Sequence, residues 1–257
     1  MELPIETLIF LVTVAFMAGG IDAMAGGGGL LTIPALMAAG VPPVSALATN
    51  KLQSSAGTAS AFVAFWRAGH IDLRRFAWPV IAAIIGSGAG AVAVQQVDPS
   101  FLSGIVPLLL ILMCIYFIAS PKMGAADRRA RISNLGLTLL IGAIGFYDGF
   151  FGPGTGSFLT TALVALAGLG LLRAIANAKL LNLATNLAGL VALIAGGQML
   201  WLLGFSMAAA NVAGNQVGAR LAIRYGGAGV RPLLVIMSAA LTIKLLSDPA
   251  NPIWHIL

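Results

Sequence analysis

Apolar residues along this chain gather in long runs, and the runs are broken at intervals by short polar or glycine-rich stretches. Runs near 20 residues suit helices that cross a bilayer, at about 1.5 Å of rise per residue against about 30 Å of hydrocarbon. Five apolar segments precede a polar linker: about 5–22, 30–39, 43–66, 75–97 and 101–119. Five more follow, at about 132–148, 156–166, 171–195, 198–223 and 230–246. The pattern predicts an all-α, multi-pass membrane protein with one membrane unit in 1–119 and another in 133–246. The linker 120–132 joins them and a tail, 247–257, closes the chain.

Two breaks stand out. One is Gly19-Gly20-Ile21-Asp22-Ala23-Met24-Ala25-Gly26-Gly27-Gly28-Gly29, and the other is Gly145-Phe146-Tyr147-Asp148-Gly149-Phe150-Phe151-Gly152-Pro153-Gly154-Thr155-Gly156-Ser157. Each is followed by an apolar segment of about 10 residues, which covers only about half of the hydrocarbon thickness. Such a segment is a broken or re-entrant helix, tolerated in a bilayer where protein or water covers its exposed backbone. Asp22 and Asp148 are 126 residues apart, while Ala48-Thr49-Asn50-Lys51-Leu52 aligns with Ala176-Asn177-Ala178-Lys179-Leu180 at an offset of 128. At that second offset Gly69 meets Gly197, Gly86 meets Gly214 and Gly90 meets Gly218. A lysine and three glycines in register predict a duplicated architecture, as in many secondary transporters.

Composition narrows the class. The chain is 59% hydrophobic and 9% charged, too few charges to coat a soluble domain of 257 residues. The net charge of +6 sits in loops between apolar segments and argues against a nucleic-acid partner. Cys114 is the lone cysteine, which excludes an internal disulfide and a cysteine metal cluster. No basic residue precedes Lys51, so the first apolar run reads as a retained transmembrane segment and not as a signal peptide. Placing Arg67, Arg74 and Arg75 and the linker in the cytoplasm puts every basic residue there except Lys51, Lys179 and Lys244, which lie within apolar segments. Five segments per half then invert the second half relative to the first and leave both termini outside.

Asp22, Asp148, Lys51 and Lys179 are ionisable groups within the membrane segments, where a charge needs a partner, water or a substrate. Lys244 stands near a segment end and snorkels to the interface. Lys51 and Lys179 lie at equal depth, about 12 Å into their segments. Each either faces a substrate, pairs with the aspartate of its own half or snorkels to an interface. Short helices begin after Gly29 and Gly156, so free N–H groups and the positive helix end point into each break. Gly27, Gly28, Gly29, Gly154 and Gly156 let an anion approach that backbone, and Thr155 and Ser157 add hydroxyl donors. Asn50, Gln53, Asn177 and Asn182 supply further hydrogen bonds, and Asp22 and Asp148 are candidates for proton coupling. This constellation suits a small oxyanion. Gly86 and Gly90, and Gly214 and Gly218, have the spacing of tight helix crossings.

Signals for catalysis are weak. The stretch Gly152 to Ser157 lacks the lysine of a nucleotide loop, and His70 and His255 form no metal pair. Neither a cofactor nor a metal is expected, and an enzyme is the least favoured class.

The stretches Gly26-Gly27-Gly28-Gly29-Leu30-Leu31-Thr32-Ile33-Pro34-Ala35-Leu36 and Ala46-Leu47-Ala48-Thr49-Asn50-Lys51 resemble the glycine-rich and Ala-x-x-Thr-Asn signatures of the sulfite exporter TauE/SafE family. Gly145-Phe146, Gly152-Pro153-Gly154-Thr155-Gly156 and Ala174-Ile175-Ala176-Asn177-Ala178-Lys179 look like its second copy, so the likeness covers almost the whole chain. The second copy departs from the first in Thr155 and in lacking an equivalent of Pro34. The resemblance implies an inner-membrane carrier of sulfur-containing anions such as sulfite, sulfoacetate or related organosulfonates. Its expected partners are a small anionic substrate and the lipid bilayer, and a homodimer is left open. An anion channel or a non-transport membrane scaffold are the rival readings.

Overall fold

The computed structural model describes residues 4–119, 126–225, 243 and 247. Among them the secondary structure is entirely helical: α1 (Ile5–Ala25), α2 (Gly29–Ala38), α3 (Pro43–Arg67), α4 (Ala77–Val94), α5 (Pro99–Ala119), α6 (Asn134–Phe150), α7 (Thr155–Ala165), α8 (Leu171–Ala195) and α9 (Trp201–Tyr225). Apart from Ile243, the expected segment at 230–246 lies outside the described residues, Lys244 included, as does the tail apart from Ser247. Among the described residues three helices, α1, α4 and α8, are long and apolar enough to cross a membrane by length and composition. Helices α3 and α9 have 25 residues each and carry buried polar side chains, which lowers their mean hydropathy without shortening them.

Polarity is turned inward. Trp78 and Leu202 are 74% and 82% exposed, while Lys51, Lys179 and Asp148 are each 2% exposed. That distribution suits a protein solvated by lipid. The helices are held by close backbone approach. Side chains added at Gly86 and Gly90 would run into α6 at Gly142 and Phe146, and ones at Gly214 and Gly218 into α1 at Phe16 and Gly20. The expected small-residue crossings are therefore those of α4 with α6 and of α9 with α1. Helix α4 packs also on α8, and α9 on α3, so each of these helices leaves its own half of the sequence and packs on the other.

Loop contacts define two ends of the bundle. At one, Arg75 donates to Ala167 O, the Arg128 N–H to Gly168 O and the Arg131 N–H to Leu166 O. The α3–α4 loop, the end of the linker and the α7–α8 loop thus gather there with their arginines. Helix α9 follows α3 in parallel, Gly204 lying against Leu52 and Gln216 donating to Ser60 O, which brings Arg220 and Arg224 toward the same end. At the opposite end a cavity of about 220 Å³ is shared by Pro42, Pro43, Val44, Gln95, Val97, Pro99, Gly196 and Gln198. Helix α1 runs parallel to α9 toward the basic end, and α2 turns back, so α1 and α2 form a hairpin that returns to its starting side. Helix α6 runs parallel to α4, away from the basic end, and α7 returns to it.

Helices α2 and α7 have 10 and 11 residues, about 15 and 17 Å of length. Both stop short of a full crossing, as their sequence length predicts.

Candidate functional site

The two glycine loops meet in the middle of the bundle. Gly26 (φ 74°) adopts a conformation that L side chains rarely take, and a Cβ on it would press into the backbone of Gly156 and Ser157. Ser157 Oγ donates to Ala25 O and Gly26 O, binding α7 to the first loop. Around this crossing lies a cavity of about 20 Å³, bounded by Asp22, Gly27, Gly28, Gly29, Asn50, Ser54, Asp148, Gly152, Gly154, Thr155, Gly156, Asn182 and Asn186. It has space for about one or two water molecules.

Donors converge on this space. In the first turns of α2 and α7 the N–H groups of Leu30, Leu31, Thr32, Thr155, Ser157 and Phe158 bond carbonyls of the preceding loops, which leaves those of Gly29 and Gly156, both bordering the cavity, as the open backbone donors. Asn50 Oδ1 accepts from Thr32 Oγ1 at 2.6 Å and from Gln53 Nε2 at 3.0 Å, which turns the Asn50 amide nitrogen toward Gly29. Asn182 Oδ1 accepts from Asn186 Nδ2 at 3.4 Å, and the Asn182 amide nitrogen faces Gly156 in the same way. Each helix N-terminus is therefore flanked by one carboxamide donor, from α3 on one side and from α8 on the other.

The charges are arranged across the halves. Lys51 Nζ lies 2.6 Å from Asp148 Oδ2, and Lys179 Nζ lies 2.6 Å from Asp22 Oδ2. The own-half pairing is thus corrected: each lysine finds the aspartate of the other half, because the glycine loops cross and bring each aspartate beside the opposite long helix. Lys51 also donates to Asn186 Oδ1 at 3.2 Å, and Lys179 to the backbone carbonyl of Asp22. Gly189 makes room for the Lys51 stem, whose Cε lies 3.2 Å from where its Cβ would stand. Neither lysine lines the cavity; the carboxylates stand in front of them. With two lysines opposed by two aspartates, the site is neutral as it stands.

Asp22 Oδ1 accepts from the Gly27 and Gly28 N–H groups at 3.1 and 3.3 Å, so part of the donor set expected for an anion is already used. Three further expected residues lie off the cavity. Asn177 binds the α3–α4 loop, accepting from the Asp72 N–H and donating to His70 O. Gln53 orients Asn50, and Ser157 ties the loops together. Ser54, Gly152 and Asn186 line the cavity and were not singled out from sequence. Ser54 was discoverable: it sits one turn beyond Asn50 and stands 128 residues before Asn182, the offset that pairs the lysines. Asn186 lies one turn beyond Asn182 on the same face of α8. No group of three metal-ligating side chains occurs among the described residues.

Comparisons with known proteins agree with this picture. The family model described as Sulfite exporter TauE/SafE matches residues 11–245. The chain is 43% identical over 249 residues to a "Probable membrane transporter protein" of Haemophilus influenzae, covering 96% of this chain and 98% of that one. It is 43% identical over 256 residues to "Probable membrane transporter protein ORF9" of Sinorhizobium sp, covering 98% of both. It is also 46% identical over 236 residues to "Probable membrane transporter protein YfcA" of Escherichia coli K12, covering 91% of this chain and 88% of that one. No solved structure matches it. A resemblance carried by two glycine loops and two lysine helices thus extends over nearly the full length, and the chain belongs to the sulfite exporter TauE/SafE family of membrane transporters.

Proposed function

We propose that this membrane transporter exports small sulfur-containing anions, such as sulfite, sulfoacetate or related organosulfonates, across the inner membrane. The observation that carries the reading is the donor set at the loop crossing: two half-helix N-termini, each flanked by a carboxamide from Asn50 or Asn182. Backbone N–H groups at a helix start and neutral amide donors stabilise an oxyanion without a metal. The central cavity is smaller than such an anion, so binding requires the two loops to part.

The architecture we assign is a pair of inverted five-segment repeats, α1–α5 and α6–α9 with the segment that follows. The support is correspondence: short α2 and α7, 25-residue α3 and α8, and the reciprocal packing of α4 on α6 and α9 on α1. Hairpins entering from opposite ends and meeting at mid-depth suit alternating access by rocking one repeat against the other. Arginines gathered at one end support a cytoplasmic assignment for it, and periplasmic termini. Asp22 and Asp148 are the groups available to couple transport to protons.

Purified protein in liposomes, screened with sulfite, thiosulfate, sulfoacetate and taurine with and without a proton gradient, tests the reading. Saturable flux of one of these anions is expected. Non-saturable flux of many anions would instead indicate a channel, and no flux of any would contradict transport of this class.

A further inference from the structure

The two ion pairs occupy matching places, yet their carboxylates are not held alike. Asp22 is tied on both oxygens: Oδ1 accepts two loop N–H groups and Oδ2 accepts from Lys179. Around Asp148 the loop offers nothing comparable. At the offset of 126 that aligns the aspartates, Gly26-Gly27-Gly28 becomes Gly152-Pro153-Gly154. Pro153 has no N–H to donate. The Gly152 N–H goes to Tyr147 O. Among the described residues, the hydrogen bond to the Asp148 carboxylate comes from Lys51, and Asp148 borders the cavity.

The lysines differ as well. The two bonds of Lys179 both end on Asp22, one on its carboxylate and one on its carbonyl. Lys51 divides its bonds between Asp148 on α6 and Asn186 on α8. If Asp148 withdraws, Asn186 still holds the Lys51 ammonium, whereas the departure of the Asp22 carboxylate strips its loop of the acceptor that orders it. A buried charge left without partners is costly, so the Lys51 pair opens more readily than the Lys179 pair.

We infer that Asp148 is the proton-exchanging group of the transport site and Lys51 the charge its anion takes over, while Asp22 and Lys179 stay closed as a structural clasp. This rests on the transport reading. A monoanion entering the neutral site adds one negative charge. A proton taken up by Asp148 from bulk solution, relayed by cavity water, offsets it, leaving Lys51 to the anion and the net charge unchanged. The charged and titratable groups around Asp148 are Lys51 from α3, its neighbour Tyr147 on α6, and the Asp22–Lys179 pair across the cavity; α4 and α7 contribute none.

The test measures proton uptake when anion binds to the purified full chain in weakly buffered detergent solution. The probes are methanesulfonate and ethanesulfonate, monoanions whose charge does not change near neutral pH. Wild type should take up to about one proton per bound anion, its affinity rising up to about tenfold per pH unit lowered. Asp148→Asn should bind with no proton uptake and a flat pH profile. The double variant Asp22→Asn with Lys179→Gln, which removes the clasp but keeps the site neutral, should keep the uptake per bound anion and lose thermal stability. Should Asp148→Asn fail to fold, infrared difference spectra replace it: anion binding should raise a carboxylic-acid band in wild type and equally in the Asp22→Asn, Lys179→Gln variant, and a band lost in that variant overturns the inference. Anion binding to wild type without proton uptake, or uptake that persists in Asp148→Asn or disappears in the Asp22→Asn, Lys179→Gln variant, overturns the inference. Failure of wild type to bind either probe contradicts the transport reading itself.

Discussion

Lys51 and Asp148 are each 2% exposed, and neither charge is tolerable in that position without the other. Removing one partner of such a pair costs about 3–5 kcal/mol, because the survivor stays buried and uncompensated. Lys51→Ala and Asp148→Ala should therefore each lower the thermal unfolding midpoint in detergent by more than the double alanine variant does. Equal, additive losses would show that the two charges are not coupled. Outside the membrane segments, Asp127 illustrates a weaker tie. The Gly170 N–H, then Arg173 and Arg75, hold its exposed carboxyl below the usual carboxylate range. A depressed carboxylate contributes stability above its unfolded value, about 3.9, and loses it as pH falls through the lower folded value. Asp127→Asn should thus narrow the stability difference between neutral and strongly acidic pH, and an unchanged acid limb would contradict that role. Lysines and aspartates were legible in the sequence as groups that need partners; which partner each takes was not, because pairing depends on the crossing of two loops far apart in the chain.

Among the helices, length carried most of the information. The 10- and 11-residue elements α2 and α7 were expected from their apolar runs, and α8 begins and ends where its run does. The small-residue spacing at Gly86 and Gly90 announced a crossing but not its partner: the period of a helix says which face is narrow, not which neighbour fills it. The structure gives α6 to that face and α1 to the matching face of α9. Larger residues there act as wedges, and overpacking of this kind costs about 1–3 kcal/mol or more. Gly90→Leu and Gly218→Leu should each lower the unfolding midpoint and the yield of monodisperse protein, while Gly88→Leu, with nothing near its Cβ, should not. If all three behave alike, the close crossings do not hold the bundle together. At the loop crossing, Gly26→Ala meets both a strained φ and the Gly156 backbone, so it should abolish transport and destabilise the fold.

At the scale of the whole molecule, two hairpins enter from opposite ends and meet in the middle of the bundle, and the proposed function has them present donors to an anion. Composition and charge placement made the membrane class and the basic end readable from sequence. The interior was only half readable. Asn50 and Asn182, expected as hydrogen-bonding groups, border the central cavity, whereas Asn177 looked equivalent by type and binds the α3–α4 loop. A polar residue on a buried face does not declare whether it serves a cavity or a neighbouring backbone. The most direct measurement is initial uptake of radiolabelled sulfite or sulfoacetate into proteoliposomes, comparing wild type with Asn50→Leu and Asn182→Leu, which keep both ion pairs. The account predicts saturable flux in wild type and at least about a tenfold loss in each variant, from removing a hydrogen-bond donor to a charged ligand worth about 1.5–3 kcal/mol. Wild-type flux in both variants would contradict a transport site at the glycine-loop crossing.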